Sequence, residues 1–508
     1  MQENLQHNLK DRHIQMIAIG GAIGTGFFLG SASAIQMTGP SIALAYIVGG
    51  LIIYGVMRAL GEMTVDYPSS GSFVEYAHRY LGTGAGFTAG WNAWLLFTAA
   101  CMLEVTAVGT LLDYWIHIPH WITCIVLLVM FGGLNLIGVK YFGETEFWFA
   151  GIKVAVIIFM IVTGLYLIFA DHTVHAIAAN NLQNYSNSNI FFSHGLMGVF
   201  NSLVIVCLSF CGSEFVSVAA GEAENPKKAI PKAINGVVPR IILFYVLTMA
   251  VIVLMYPFQH ITSNTNPFTD VFTKLGFTRS ADIINLVAIT ASLSALNSCL
   301  YVAARFLYRM SLNGQAPRAF AKTDKNKLPR NAILFTGGMA FIVVIANYTF
   351  PAKILQYLFA LITVAIIINW FIVLLSHLSF RRQKALAGET LVYSMPGYPY
   401  VNMLVMGVLF IILVVMSKNP EMELSVYIAP VWLLILSILY TVSSGRKNIK
   451  NKLQQPVVFA GEPFSCQGQR GYDQQPNPVN QRCFANHSFF NGLIFWVLEQ
   501  TLHKRINL

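Results

Sequence analysis

Charged side chains are scarce. Of 508 residues only 11% are Asp, Glu, Lys or Arg, while 56% are hydrophobic. Soluble domains carry about 25% charged residues. A large soluble core does not explain the shortfall, so most of the surface must face lipid; the mean hydropathy of +0.60 agrees. Cysteine is also sparse, and its seven copies are scattered. They form no CxxC pair and no Cys/His cluster at zinc spacing, which argues against a disulfide framework and against a metal site. Cys101, Cys124, Cys207, Cys211 and Cys299 lie in apolar runs, where a thiol serves as a small hydrophobe. HExxH, GxSxG and P-loop motifs are missing, as are clustered Asp and His near the ends of the apolar runs, so enzymatic activity is not expected. The first 15 residues are polar, and a cleavable signal is not expected ahead of the first apolar run.

What is present is a series of long apolar runs. A membrane-spanning helix needs about 20 mostly apolar residues. Candidates fall at 14–36, 41–62, 86–112, 118–138, 147–170, 196–220, 238–256, 282–304, 331–350, 353–378, 400–417 and 425–443. The expected fold class is therefore an all-α membrane protein of about twelve spanning helices. An even count puts both termini on one side. The loops then separate into two sets. One holds Lys10, Arg12, Arg79, Lys140, Lys227, Lys228, Lys232, the basic residues of 318–330, Arg381, Arg382 and Lys384. The other holds only Lys274, Arg279, Lys353 and Lys418. The net charge of +10 thus follows topology, places both termini in the cytoplasm of an inner (plasma) membrane protein, and does not call for a nucleic-acid partner. The 171–195 stretch, free of Lys and Arg, becomes external. The tail from 444 to 508 is different: residues 453–484 are rich in Gln, Asn, Pro and Gly and read as disordered. The apolar run 488–499 is too short to span, and reads either as an interfacial helix or as an accident of sequence.

Two of the apolar runs are built to break. The first carries Gly20, Gly21, Gly24 and Gly26 within seven residues, and each glycine weakens a helix by about 1 kcal/mol. Close helix packing is the competing explanation. The sixth carries Cys211-Gly212-Ser213-Glu214 in mid-run. An acidic group at membrane depth marks function, or else caps and pairs locally. Runs one and six are five apart, the pattern of an inverted-repeat transporter with its substrate site at the midplane. Helix breaks expose N–H groups that favour an anionic carboxylate and carbonyls that accept from an ammonium. An α-amino acid needs both. Thr25 and Gly26, beside Gly24 in the same expected site, are placed to meet the carboxylate. The carbonyls of Ala22, Ile23, Leu208 and Cys211, beside Gly212, are placed to meet the amine. Phe210 reads either as a gate or as a core aromatic. Glu104 reads as a cavity or proton-site carboxylate, or as a buried paired one. Glu62 and Arg58 are expected to form an i, i+4 ion pair. Glu222 and Glu224 read as gating partners of basic residues or as part of a solvated loop.

At these residues the chain resembles the amino-acid permeases of the amino acid–polyamine–organocation superfamily, and within it the bacterial branch that carries aromatic residues, proline, lysine, histidine and γ-aminobutyrate. The matching stretches are RHIQMIAIGGAIGTGFFLG (12–30), RALGEM (58–63), PSSGSFVEYA (68–77), GWNAWL (90–95), EVTAVG (104–109), AAGEAENPKKAIPKAI (219–234), RIILFY (240–245), ALNSCLY (295–301) and NGQAPRAF (313–320). The resemblance implies a LeuT-like fold, with inverted five-helix repeats at 14–170 and 196–378 and two further helices at 379–443. It implies that Lys153, in FWFAGIKVAVIIF, reports protonation to the broken first helix; alternatively Lys153 snorkels to the cytoplasmic face. Many relatives have Gly-Gly where this chain has Cys211-Gly212, which alters the lining of the expected pocket. The function implied is import of a neutral amino acid, proline or aromatic, by proton symport, with an exchanger or a membrane amino-acid sensor as alternatives. The neutral choice follows from reading no acidic or basic residue in the cavity segments beyond Glu104, Lys153 and Glu214. No cofactor is expected beyond the proton as coupling ion. The expected partners are a free amino acid and the lipid bilayer, with no nucleic acid and no obligate protein partner.

Overall fold

In a computed structural model, the chain is described over residues 9–137, 139–261, 266–351, 353–420 and 422–454. Every named element there is helical: α1 (Asp11–Ala22), α2 (Thr25–Phe28), α3 (Gly30–Thr38), α4 (Ile42–Asp66), α5 (Ser72–Leu81), α6 (Thr83–Leu112), α7 (His120–Asn135), α8 (Val139–Ala170), α9 (His172–Tyr185), α10 (Ser188–Phe191), α11 (Gly195–Ser209), α12 (Phe215–Ala219), α13 (Pro226–Met255), α14 (Pro267–Lys274), α15 (Thr278–Leu312), α16 (Arg330–Ala340), α17 (Ile342–Thr349), α18 (Ile354–Leu386), α19 (Tyr400–Met416) and α20 (Glu423–Gln454). Among the described residues, nine helical stretches are long and apolar enough to cross a membrane, and α7 and α19 are shorter apolar helices. A backbone in lipid must satisfy its own hydrogen bonds, which helices do. Leu51, Val126, Val129, Phe169, Leu404 and Phe410 are exposed on the outside of the bundle, as a lipid-facing surface requires.

The structure divides into residues 1–433 and residues 434–508. The described part of the second unit is the later portion of α20. That helix continues to Gln454, so the first residues after Ser444 are helical, contrary to the expected tail. The readings of 455–484 as disordered and of 488–499 as an interfacial helix lie outside the described residues. The 171–195 stretch is not a plain loop either. Asp171 accepts from the N–H groups of Thr173 and Val174 and so caps α9, and α10 follows.

The first unit is organised around two interrupted segments. The first apolar run is helical to Ala22, extended at Ile23 and Gly24, and helical again from Thr25. The sixth ends a helix at Ser209, turns through Phe210–Glu214 with Gly212 at φ +95°, and resumes at Phe215. Only glycine takes that φ without strain. α1 packs on α12, while α2 and α3 pack on α11. The two segments therefore run side by side in opposite directions with their breaks level. Long α6 and α15 pack against each other and flank the breaks.

Candidate functional site

The two breaks touch. Ser209 Oγ donates to the Gly26 carbonyl at 2.8 Å. A Cβ on Gly26 would stand 3.1 Å from the Leu208 backbone, and one on Gly21 would stand 2.7 Å from the Gly212 carbonyl. The glycines of the first run thus do two things: they let the helix break, and they let its backbone approach the other break. Tyr245 of α13 ties them together, its hydroxyl lying 2.9 Å from the Ala22 carbonyl and 3.1 Å from the Ser209 carbonyl. Each of these carbonyls loses helical partners at its break.

A small cavity of about 30 Å³ lies between the breaks, room for about one or two water molecules. Seven expected residues line it: Ala22, Gly24, Gly26, Glu104, Leu208, Cys211 and Gly212. Gly21, Ala100, Leu103, Phe215, Ala295, Cys299 and Ile362 complete the wall. The wall is mostly backbone, small side chains and apolar groups. Cys211 is partly exposed, whereas Cys101, Cys124, Cys207 and Cys299 are buried.

The other expected residues are placed differently. Thr25 donates its hydroxyl to Glu104 Oε2 at 2.5 Å and its N–H to Glu104 Oε1 at 3.4 Å, and its hydroxyl is 2.9 Å from Ser292 Oγ. The Thr25 donors expected to meet a substrate carboxylate are thus held by the protein's own carboxylate. Glu104 lines the cavity and is also bonded within the bundle. Ile23 is buried, with its N–H spent on the Ile19 carbonyl. Phe210 is buried and packs on Tyr46 and Tyr245 rather than lining the cavity. Glu214 turns back so that Oε2 accepts from the Gly212 N–H at 3.2 Å. It caps the turn, and the cap reading fits its geometry.

Lys153 is fully buried, and its ammonium donates to the Gly20 carbonyl at 2.6 Å. It does not snorkel. Its nearest carboxylate is Glu146 at 4.0 Å, itself fully buried and accepting from Ser294 at 2.7 Å. Glu146 corrects the expectation that the cavity segments hold no further acidic group. The apolar run begins at 147, but α8 reaches back to Val139, so Glu146, at the polar edge of the run, lies within the helix. The signal was the seven-residue spacing to Lys153, which puts both on one helix face. Ser292, Ala295 and Cys299, spaced three and four apart on α15, form another stripe inside or beside a quoted motif.

At one end of the bundle the breaks are sealed. Glu222 is buried and pairs with Arg305 at 3.1 Å, and the Arg305 guanidinium lies 3.8 Å from the centre of the Tyr301 ring. Arg309 pairs with Glu75 at 2.8 Å. Leu9 exchanges backbone hydrogen bonds with Glu222 and Glu224. Glu222 is thus a paired group, whereas the Glu224 side chain is exposed. Arg58 and Glu62 do not pair. Arg58 bonds Asn235 and lies over the Tyr393 ring, and Glu62 is taken by Arg381 and His377. Tertiary partners outcompete the weak i, i+4 attraction. At the opposite end a cavity of about 370 Å³ is lined by Leu29, Thr110, Asp113, Asn266, Asp270 and Asn285 among others. Among the described residues, no group of three His, Cys, Asp or Glu side chains is gathered as a metal would require.

The sequence matches the amino acid permease family over residues 13–453. The chain belongs to the amino acid permease family. It is 42% identical to the aromatic amino acid transport protein AroP of Escherichia coli (strain K12) over 439 residues, which cover 86% of this chain and 95% of that protein. AroP of Salmonella typhimurium (strain LT2) gives the same identity over 439 residues, at 86% and 95%. An uncharacterized amino acid permease of Bacillus subtilis, YtnA, is 40% identical over 440 residues, at 86% and 95%. The chain is a multi-pass membrane permease of amino acids.

Proposed function

We infer that this permease imports a neutral amino acid, aromatic or proline, by proton symport across the inner (plasma) membrane. Its twelve spans form two inverted five-helix repeats, 14–170 and 196–378, with two further helices at 379–443. Both termini and the sealed end face the cytoplasm, the side favoured by the basic loops, and 171–195 is external. The observation that carries the reading is the cavity between two level, antiparallel helix breaks, walled by backbone, small and apolar groups. Such a wall offers N–H groups and carbonyls to an α-amino and α-carboxyl group and asks for an uncharged side chain. The relatives named for aromatic amino acids favour an aromatic one. About 30 Å³ does not hold an amino acid, so binding must widen the cavity. Glu104 must yield the Thr25 donors to the substrate carboxylate, and Ala22, Ile23, Leu208 and Cys211 supply carbonyls to the amine. Lys153, bonded to the Gly20 carbonyl two residues before Ala22, ties its proton to the shape of the first break.

The test is uptake of a labelled amino-acid panel into proteoliposomes. An inward proton gradient is expected to drive accumulation of one or a few neutral amino acids, and Lys153→Ala is expected to abolish it. Accumulation driven by sodium, or only by preloaded amino acid, would overturn the proton assignment.

A further inference from the structure

Glu146 is a fully buried carboxylate for which the transport reading has no role. It stands two turns before Lys153 on the same face of α8, 4.0 Å from the ammonium. Its oxygens each lie 2.7 Å from Ser294 Oγ of α15. The first helix is cut away to admit it: a Cβ on Gly20 would fall 2.1 Å from Glu146 Oε1 and 3.1 Å from Ala150. Gly20 is also the residue whose carbonyl holds Lys153, and Gly21 beside it lines the central cavity. Carboxylate, ammonium and helix break are thus in one continuous contact.

We propose that Glu146 is the counter-charge that lets Lys153 carry its proton at membrane depth, and so the residue that positions the coupling proton against the first helix break. The proposal rests on the proton-symport reading and adds a residue to it. A lone buried ammonium costs several kcal/mol, and the cost falls only with a close partner of opposite sign. The other titratable groups bearing on Lys153 are Glu104 of α6 and Cys299 of α15; Glu146 is faced by Lys153 and by the hydroxyls of Ser294 and Ser298. Glu146 is the carboxylate that lies within 4.0 Å of the ammonium, and a thiol is a weak counter-charge, so Glu146 is the partner that the geometry gives Lys153. With the ammonium and the carboxylate both charged, the pair is neutral and holds one exchangeable proton on Nζ. When that proton leaves for water, the amine keeps no charge, Glu146 remains an anion on Ser294, and the grip on the Gly20 carbonyl weakens. The proton that entered Nζ from one side leaves to the other, with no other bond made or broken.

Glu146→Gln keeps the shape and removes the charge. In proteoliposomes it is expected to retain counterflow of labelled amino acid against unlabelled amino acid. Proton-driven accumulation should fall by about tenfold or more. Glu146→Asp should keep accumulation, with its pH profile displaced by about one unit. Accumulation by Glu146→Gln with the parent's pH profile would overturn the proposal. Should Glu146→Gln lose counterflow as well, the charge-balanced Glu146→Gln/Lys153→Gln decides: counterflow regained without accumulation supports the pair. Counterflow still absent, together with an undisplaced Glu146→Asp profile, overturns it. A parent chain that is not proton-driven defeats the symport reading itself, and the proposal with it, which separates the two failures.

Discussion

Gly212 shows how much a single residue carries here. Its φ of +95° turns the chain between α11 and α12, and an added Cβ would stand 2.2 Å from the Gly21 carbonyl. Gly212→Ala therefore faces both backbone strain and a clash with backbone of the other break. We expect it to cost about 1–3 kcal/mol or more, read as a lower midpoint of thermal unfolding in detergent and as lost transport. Gly151, where a Cβ meets nothing within 4 Å, should tolerate Ala with transport unchanged. Much at this scale was legible in sequence. Dense glycines and an acidic group in apolar runs are costly unless used, so the breaks and seven cavity residues could be read. The directions of side chains could not. Thr25, Glu214 and Phe210 turn to partners supplied by other helices, and Ile23 spends its N–H within its own turn. Glu146 stands just ahead of the apolar run, inside a helix that starts at Val139, so apolar length alone does not point to it.

At the scale of elements, the two breaks are held in register by α13. The Tyr245 hydroxyl is close to one carbonyl of each break. Its ring stacks on Phe27 at 4.2 Å and packs on Tyr46 and Phe210. Tyr245→Phe keeps the ring and leaves two buried carbonyls short of a donor, at a cost of about 1–3 kcal/mol. Substrate affinity measured by counterflow should weaken, whereas Tyr185→Phe, outside the cavity, should leave affinity unchanged. Apolar length made the nine long apolar helical stretches among the described residues readable. The amphipathic α5 and the capped α9 went unseen because short polar helices depend on local caps and tertiary cover, which a hydropathy pattern does not report. The Arg58–Glu62 expectation failed for a similar reason. Spacing puts the two on neighbouring turns, but Arg381, His377, Asn235 and Tyr393, distant in sequence, take them both.

For the molecule as a whole, one end is closed by buried ion pairs and the other opens into a cavity. Glu222→Gln would leave Arg305 charged and buried without its partner, which typically costs about 3–5 kcal/mol. The closed arrangement should lose population, seen as faster amide hydrogen exchange over α5 and residues 219–225. The second pair has a defined pH response. Burial pushes the Glu75 carboxyl up, but the hydrogen bonds from Arg309 and Asn313 outweigh it and hold the group below the usual carboxylate range. A lowered folded value means that its stabilisation is present above the unfolded pKa of about 4.3 and is lost only as pH falls through the lower folded value. Exchange of α5 should therefore be flat from about pH 8 to pH 5 apart from intrinsic exchange chemistry, and rise only at stronger acid. Proton concentrations in the ordinary range therefore leave this seal unchanged.

The central claim is that the amino acid binds between the two helix breaks. Cys211 tests it directly, since it lines that cavity and is partly exposed. A variant with the other six cysteines replaced by Ser or Ala would be treated with a small thiol reagent in proteoliposomes, with and without a saturating concentration of the amino acid it transports. Binding in the cavity predicts that the substrate slows labelling of Cys211, while an amino acid that is not transported has no effect. Labelling at the same rate in both cases, in a variant that still transports, would contradict the placement of the site.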